Sequence, residues 1–553
     1  MKSIEIFLPP SRIERHLKEG SWPGFTIPAL AQRGLRAFPD KTFIVDSRRR
    51  VTYREFDLMA KKISLNLLQA GVTKGDIVGV GLPNRAEFLA MMVAANQIGA
   101  VYAPFSYQFR EADLGFFVPF VEPAAVAIPF QFRGFEYLPV YKALRDKVPS
   151  LRHILVSDAP QDNLGDGVFS LDKVLQQPID YDYAEDCLQR YRPSPLDLCA
   201  IQLTSGTTGK PKGAMHLHET WISSALHQWW QLGVRPEDIM LNVHPLFGAA
   251  GLTHTSAMMY FKASMVFMDR FTAPEALELM QREKVSILVG VAAHFIDLLN
   301  CPDFDRYDLS SLRLVFSAGG PVAGALGREL ERRTKCRVSL IWGCSETKGG
   351  SQTLLTDEDE VRLDTVGRPV PYVNLRTVDA AGKDVPPGEA GEIWVNGCSN
   401  FVGYFKDPEL TREKVEDGWY KTGDVGVRDK RGNLTITGRM QDMILRGAEN
   451  IYPRELEELL AKHPNIKDVA VVAAPHERLG EIACAYVIPR AGQSIVLDDI
   501  VSFLKGKIQV HKIPERLEVV QEFPRTDAGK VMKDKLKEDV NRKVQKERAA
   551  PKP

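Results

Sequence analysis

The stretch Leu203-Thr204-Ser205-Gly206-Thr207-Thr208-Gly209-Lys210-Pro211-Lys212-Gly213 decides how this chain is read. It follows a short apolar run, Leu198-Cys199-Ala200-Ile201-Gln202-Leu203, so it reads as a loop at the end of a strand. Hydroxyls, backbone N–H groups and lysines gathered in one loop suit a polyphosphate. The glycines let the backbone come close, and successive N–H groups form an anion-binding concavity. Gly209-Lys210 is followed by Pro211 and not by Ser or Thr, so this is no Walker A loop. Taken alone it also reads as a polar surface turn.

Outward from the loop, strands alternate with helices. Asp76–Leu82 reads as a buried strand, and a helix runs from Arg85 to about Ile98 with Phe88, Met91, Met92 and Ala95 near helical spacing. Ser286–Val291, Leu312–Phe316 and Arg337–Ile341 read as further strands, with a helix near Phe295–Leu299 after the first of them. This alternation predicts an α/β fold of mostly parallel sheets covered by helices on both faces, with ligands at the carboxyl ends of strands. From Asp379 to Val395, Gly and Pro punctuate short apolar runs, which predicts a smaller antiparallel or barrel-like section. After Arg439 the pattern changes again: Pro453 opens a helix with Leu456, Leu459 and Leu460 on one face, and Val469–Ala473 and Ala483–Ile488 read as strands. The expected domains are therefore 1–439 and 440–553.

The 553 residues are 44% hydrophobic, enough for large cores and more than one domain. Lys plus Arg (71) balances Asp plus Glu (71), so no global positive field draws a nucleic acid, and none is expected as a partner. The locally basic tail from Lys530 to Pro553 reads as a solvated helix end and frayed terminus. Seven cysteines without a Cys-x-x-Cys pair argue against a disulfide framework or structural zinc and fit a reducing, cytoplasmic compartment. Cys344 reads as a small packing residue, and His216 and His218 as packing or surface residues. The N-terminus lacks the apolar core of a secretory signal, and no apolar run is long enough to predict a transmembrane segment. Peripheral membrane contact and a homo-oligomer are left open.

Further motifs stand in a fixed order: Ser317-Ala318-Gly319-Gly320-Pro321, Trp342-Gly343-Cys344-Ser345-Glu346, Tyr420-Lys421-Thr422-Gly423-Asp424, Gly438-Arg439, Gly447-Ala448-Glu449-Asn450 and Pro524-Arg525-Thr526-Asp527-Ala528-Gly529-Lys530. Together with the opening loop they resemble the adenylate-forming superfamily over almost the whole chain. That superfamily holds acyl-CoA synthetases, peptide-synthetase adenylation domains and luciferases. Phe401–Glu409 and His476–Glu481 strengthen the match.

The resemblance implies ATP, Mg²⁺ and coenzyme A as cofactors and a small carboxylic acid as substrate. A carboxylate is a poor acyl donor, because its leaving group would be oxide. Joining it to AMP supplies a better one, but two anions must meet at the α-phosphorus, so cations and dipoles must be in place beforehand. On the family pattern Thr204, Ser205, Gly206, Thr207, Thr208, Gly209 and Lys212 would hold the outer phosphates. Gly319, Gly320 and Pro321 would form the adenine-side turn, and Trp342, where Tyr is usual, would stack on adenine beside Gly343. Ser345, where Thr is commoner, would keep a hydroxyl near the α-phosphate, and Glu346 would ligate Mg²⁺. Asp424 would accept from both ribose hydroxyls with Arg439 nearby, and Lys530 would offset charge between the carboxylate and the phosphate. Lys530, Glu346 and Thr204 are the expected catalytic residues. A small mobile α+β C-terminal domain would then swing and bring Gly447, Ala448 and Glu449 in to admit the thiol. Gln441 at the hinge and Ala448 in the thiol loop depart from the usual residues.

The segment His244-Pro245-Leu246-Phe247-Gly248-Ala249-Ala250-Gly251 holds the family's acyl-pocket position. Phe247, Gly248, Ala249, Gly251 and Gly343 are the expected acyl contacts. Small residues there suggest room for a bulky apolar group, and no Lys or Arg in the segment meets a second carboxylate. At roughly 0.8 kcal/mol per buried methylene, six extra methylenes would favour octanoate over acetate by at most about 5 kcal/mol. The chain is thus expected to be a medium-chain or alicyclic carboxylate–CoA ligase. The alternative is a stand-alone enzyme loading a separate carrier protein, for which Ser21-Trp22-Pro23-Gly24-Phe25-Thr26 offers a faint likeness. A non-catalytic nucleotide sensor fits less well, since Glu346, Asp424 and Lys530 are all retained.

Overall fold

Runs such as Ile77–Val80 and Ile287–Gly290 are apolar at every position, which marks strands buried on both faces. The structure, a computed structural model, describes residues 4–549 apart from 161–163, 205–211, 320–321, 447–448, 477–478, 506, 509 and 527–528; the side chains of 204, 445, 449, 450, 548 and 549 are also not described. By its contacts the chain divides into two units, Met1–Asn374 with Val395–Tyr420, and Leu375–Trp394 with Lys421–Pro553.

The first unit holds two large sheets. One has the order Lys212–Leu217, Leu198–Thr204, Val101–Pro104, Ile77–Val80, Ala125–Pro129, His153–Ser157, Val168–Ser170. The other centres on the parallel strands Arg337–Trp342, Leu314–Ser317, Ile287–Gly290, Ile239–Asn242, Ser264–Phe267 and Thr42–Val45, with short antiparallel strands at its ends. The helices Tyr53–Gln69, Ala86–Gln97, His218–Trp230 and Ala249–Phe261 contribute to one large core. The mostly parallel sheets layered with helices that the sequence predicts are therefore present.

In the second unit, the hairpin Trp419–Arg428/Leu434–Arg439 pairs Asp424 with Arg439. A second sheet runs Glu449–Ile451, Ile444–Arg446, Gly480–Pro489, Ile466–His476, with Arg516–Val519 parallel to Gly480–Pro489. Its central strands alternate strictly. Val471, Ala473, Ala483 and Ala485 face one core with Leu456, Leu460, Ile500 and Leu504, while Ala470, Val472, Cys484 and Tyr486 face the other. That second face corrects the reading of the basic tail. Lys533–Ala549 is a helix whose Leu536, Val540 and Val544, four apart among the charges, are buried against it.

Candidate active site

The strand Leu198–Thr204 pairs antiparallel with Lys212–Leu217, Thr204 opposite Lys212, so the opening motif sits where two strands part. Ser205, Gly206, Thr207, Thr208 and Gly209 lie outside the described residues, as do Gly320, Pro321, Gly447 and Ala448 and the side chains of Thr204 and Glu449. Gly213 is the small residue the packing demands there: a Cβ would stand 2.7 Å from Ile201 and 3.1 Å from Phe405. The neighbouring strand Lys212–Leu217 carries the segment Phe401–Phe405, for Met215 N donates to Gly403 O (3.0 Å) and Phe405 N to Gly213 O (2.8 Å).

That segment delivers Tyr404 to Glu346. The Tyr404 hydroxyl donates to Glu346 Oε1 at 2.7 Å. With its only proton spent, it accepts from Tyr420, whose oxygen is 3.2 Å away. Burial, followed by the charge of Glu346, pushes the Tyr404 phenol well above its usual pKa, so it stays a donor. Phe401 packs edge-on to both tyrosines (4.8 and 5.2 Å between ring centres), and its N–H donates to the Glu346 carbonyl (2.7 Å). The Lys212 ammonium lies 5.6 Å from the Tyr404 ring centre. A carboxylate only 8% exposed is thus oriented by an aromatic stack.

The motif before it is packed just as closely. A Cβ on Gly343 would meet Gly349 Cα at 2.7 Å, and the Trp342 ring lies nearly buried against Gly350. Neutral His216, held well below its usual pKa by burial, donates from Nε2 to the Ser345 carbonyl (2.8 Å), and His218 accepts from Ile27 N (3.2 Å). Both histidines are therefore packing groups. Gly319 has φ +92°, a conformation glycine adopts freely.

In the acyl segment, Phe247 packs edge-on to Tyr107 (5.3 Å), and its carbonyl accepts from Gln202 (2.9 Å). Gly248 and Ala249 begin the helix Ala249–Phe261. A Cβ on Gly251 would collide with the Pro245 carbonyl, so smallness at that position serves the backbone.

In the second unit, Asp424 is nearly buried and pairs with Arg439 Nε (2.9 Å). The turn Met440–Asp442 follows, and Lys537 on the last helix donates to the Gln441 carbonyl (2.7 Å). Lys530 is exposed on a small hairpin in which Thr526 N donates to Lys530 O (2.7 Å) and Lys530 N to Thr526 Oγ1 (3.2 Å).

Residues 31–405 match the AMP-binding enzyme family, and residues 455–530 match the AMP-binding enzyme C-terminal domain. The chain belongs to this family. Among its relatives, the medium-chain fatty-acid–CoA ligase of Escherichia coli (strain K12) is 32% identical over 534 residues, covering 95% of this chain and 92% of its own. The 3-[(3aS,4S,7aS)-7a-methyl-1,5-dioxo-octahydro-1H-inden-4-yl]propanoyl:CoA ligase of Rhodococcus jostii (strain RHA1) is 30% identical over 523 residues, covering 93% and 98%. The solved structure of the anthranilate CoA ligase AuaEII in complex with anthranoyl-AMP superposes with a TM-score of 0.83 at 25% identity, covering 94% and 98%. The protein is an AMP-forming acid–CoA ligase of the adenylate-forming superfamily and uses ATP. No helix among the described residues is long and apolar enough to cross a membrane.

Two site features escaped the sequence reading. Tyr404 and Tyr420 were visible only as members of motifs, since nothing in the spacing says that both meet Glu346. Lys348 follows Glu346 by two residues and lies outside the motifs and the acyl segment. Its side chain is buried with the ammonium 3.5 Å from the Trp221 ring centre. Burial pulls its pKa down to about 7, against the opposing influence of Cys199, Glu346 and Cys344.

Proposed function

We propose that this enzyme activates a medium-chain or alicyclic carboxylic acid as its acyl-adenylate and passes the acyl group to coenzyme A. The buried, tyrosine-oriented Glu346 carries the reading. Among the described residues no cluster of three or more His, Cys, Asp or Glu side chains could hold a metal. A lone buried carboxylate is what Mg²⁺ takes when phosphates and water fill the rest of its shell. Glu346 would hold the ion, which would supply positive charge to the phosphates as pyrophosphate departs. Asp424, with Arg439 beside it, would bind the ribose hydroxyls. Lys530 would neutralise the incoming carboxylate and the α-phosphate while the adenylate forms. We place the domain boundary and hinge at Arg439–Asp442. Residues 440–553 would move after adenylation and bring the Gly447–Asn450 loop to the thiol. The names of both sequence relatives support CoA as acceptor over a carrier protein and support a medium-chain or alicyclic acyl group. Seven cysteines, none in a Cys-x-x-Cys pair, support a cytoplasmic setting.

The test is a pyrophosphate-release screen over aliphatic, alicyclic and aromatic acids, with and without CoA. Octanoate or cyclohexanecarboxylate should lead acetate, and CoA should raise turnover. Preference for acetate, or turnover only with a holo-carrier protein, would overturn it.

A further inference from the structure

The loop of residues 398–405, which carries Phe401 and Tyr404 to Glu346, is buried along its whole length. Loops usually run over the surface, where water pairs their backbone, so a buried one needs protein donors for its carbonyls. Here the donors come from the start of the chain. Phe7 N donates to Val402 O (2.6 Å). Arg12 donates from Nη1 to Phe401 O (3.0 Å) and from Nη2 to Asn400 O. Trp22 Nε1 donates to Cys398 O (2.9 Å). The arm of residues 4–22 thus lies against the back of the loop that orients the carboxylate.

The helix Pro10–Glu19 in this arm turns a charged face inward. Arg12, Arg15 and His16 stand at helical spacing. Arg15 Nη2 donates to Asn396 Oδ1 (2.8 Å), and buried His16 lies 4.9 Å from Trp22 between ring centres, whereas Leu17 is 57% exposed. The stretch Ser21–Thr26 has a structural use of its own, since Ser21 O accepts from His227 Nε2 (2.9 Å) beside the Trp22 bond. One peptide unit then leads into the site. The oxygen of the Asn400–Phe401 peptide accepts from Arg12, and its N–H donates to Glu346 O (2.7 Å). A peptide unit is planar, so fixing the oxygen fixes the direction of the N–H. The Phe401 ring meanwhile packs on Tyr404 and Tyr420.

We infer that Arg12 is a positioning residue for the Glu346 carboxylate, acting through the Asn400–Phe401 peptide to set the group that would hold Mg²⁺. The inference rests on the metal reading of Glu346 above. Arg12 reaches two successive carbonyls with the two ends of one rigid guanidinium, which a lysine, with a single nitrogen, does not reproduce. An arm that only fastened the fold would affect stability and leave the metal alone. An arm that positions Glu346 affects both.

The experiment measures, by calorimetry on the full-length protein without acid, the factor by which Mn²⁺ tightens binding of a non-hydrolysable ATP analogue. Melting temperatures are taken alongside. That factor should fall about tenfold in Arg12→Met and about threefold in Arg12→Lys, the scale of a hydrogen bond lost or weakened. Arg15→Met takes the donor from Asn396 and leaves the loop carbonyls paired. It should lower the melting temperature with a smaller change in the factor. In the Glu346→Gln background, Arg12→Met should cost no further metal coupling, because the group it positions is gone. A factor unmoved by both Arg12 substitutions, or lowered equally by Arg12→Met and Arg15→Met, would overturn the inference and leave the arm a fastening. Should Arg12→Met not fold, Arg12→Lys decides alone. A wild-type factor in Glu346→Gln would instead bring down the metal reading itself, and this inference with it.

Discussion

The turn around Glu346 and the loop around Lys530 hold the two charges assigned to the reaction, and they are built in opposite ways. Glu346 is buried and takes its orientation from residues far along the chain: Tyr404 donates to it and Tyr420 to Tyr404. Thr347, Lys348, Gly349 and Gly350 behind it are buried as well. Lys530 is exposed, and its loop is fixed by its own backbone: Arg525 bridges Val531, and Gly529 N donates to Thr526 O (2.8 Å). A charge set in low dielectric must be oriented before the substrate arrives, because leaving it unpaired is costly. An exposed charge on a hairpin held by its own backbone bonds and by Arg525, which donates to Gly529 O (2.8 Å) and pairs with Asp468, sits at the surface of its fold. The first is part of the fold, whereas the second is carried by it.

The sharpest way to break this contrast is Lys530→Ala. Adenylation should fall roughly 10²- to 10³-fold, as for the loss of one charge-stabilising donor. Stability should change by no more than about 0.5 kcal/mol, as at an ordinary surface position. Thioester formation from a supplied acyl-adenylate should persist. Equal loss of both half-reactions would show that Lys530 is not confined to the first of them.

Glu346→Gln should behave differently. Pyrophosphate release should fall by about 10²-fold, with the Mg²⁺ midpoint shifted upward, and the melting temperature should drop because Tyr404 loses an ionic acceptor. Tyr404→Phe then separates the two effects. It should cost about 1.5–3 kcal/mol of stability, the range for a hydrogen bond to a charged group, while shifting the Mg²⁺ midpoint less. An unchanged midpoint in Glu346→Gln would remove the metal role. An unchanged melting temperature in Tyr404→Phe would remove the claim that the aromatic stack orients the carboxylate.

The same contrast explains what the sequence could disclose. Strands such as Ile287–Gly290 and Arg337–Trp342 were legible because a buried parallel strand is an uninterrupted apolar run. Glu346, Asp424 and Lys530 were legible because each lies in a short motif whose order along the chain is informative. Tyr404 and Tyr420 were not, since 58 and 16 residues separate the hydrogen-bonded partners and only the sheets bring them together. The buried side of the helix Lys533–Ala549 was not legible, for a related reason. Its charge hides a narrow stripe of Leu536, Val540 and Val544, and the face that buries it alternates within other strands.

Asp424 lies between the two extremes, nearly buried yet paired across a hairpin by Arg439 at 2.9 Å. Asp424→Asn keeps the shape but removes the negative charge that faces Arg439. ATP should bind roughly tenfold more weakly, seen as a higher KM, because one charge-assisted acceptor is lost. The kcat should move less than in Lys530→Ala, since the ribose contacts are alike before and after the reaction. A fall in kcat with an unchanged KM would place Asp424 among the groups that act only as the adenylate forms.

The smallest effect concerns a buried charge with no part in the chemistry, and it tests whether burial alone produces the behaviour assigned to the Glu346 region. Glu219, on the helix His218–Trp230, is 2% exposed and, among the described residues, accepts from Gly24 N, at 3.0 and 3.3 Å from its two oxygens. Burial raises its pKa to about 7, against the lowering influence of that one hydrogen bond. Between its ordinary value and about 7 the folded state therefore holds a proton that the unfolded state has released. The stability this contributes is fully present below the unfolded pKa and is lost as pH rises through the folded one. Glu219→Gln, neutral at every pH, should lack that loss. Its melting temperature should match the wild type near about pH 5 and exceed it near about pH 8. A gap that stays constant over this range would mean that the Gly24 turn solvates the carboxylate well enough to cancel its burial. The orientation of Glu346 by its tyrosines would then need to be measured in its own right, and not argued from depth.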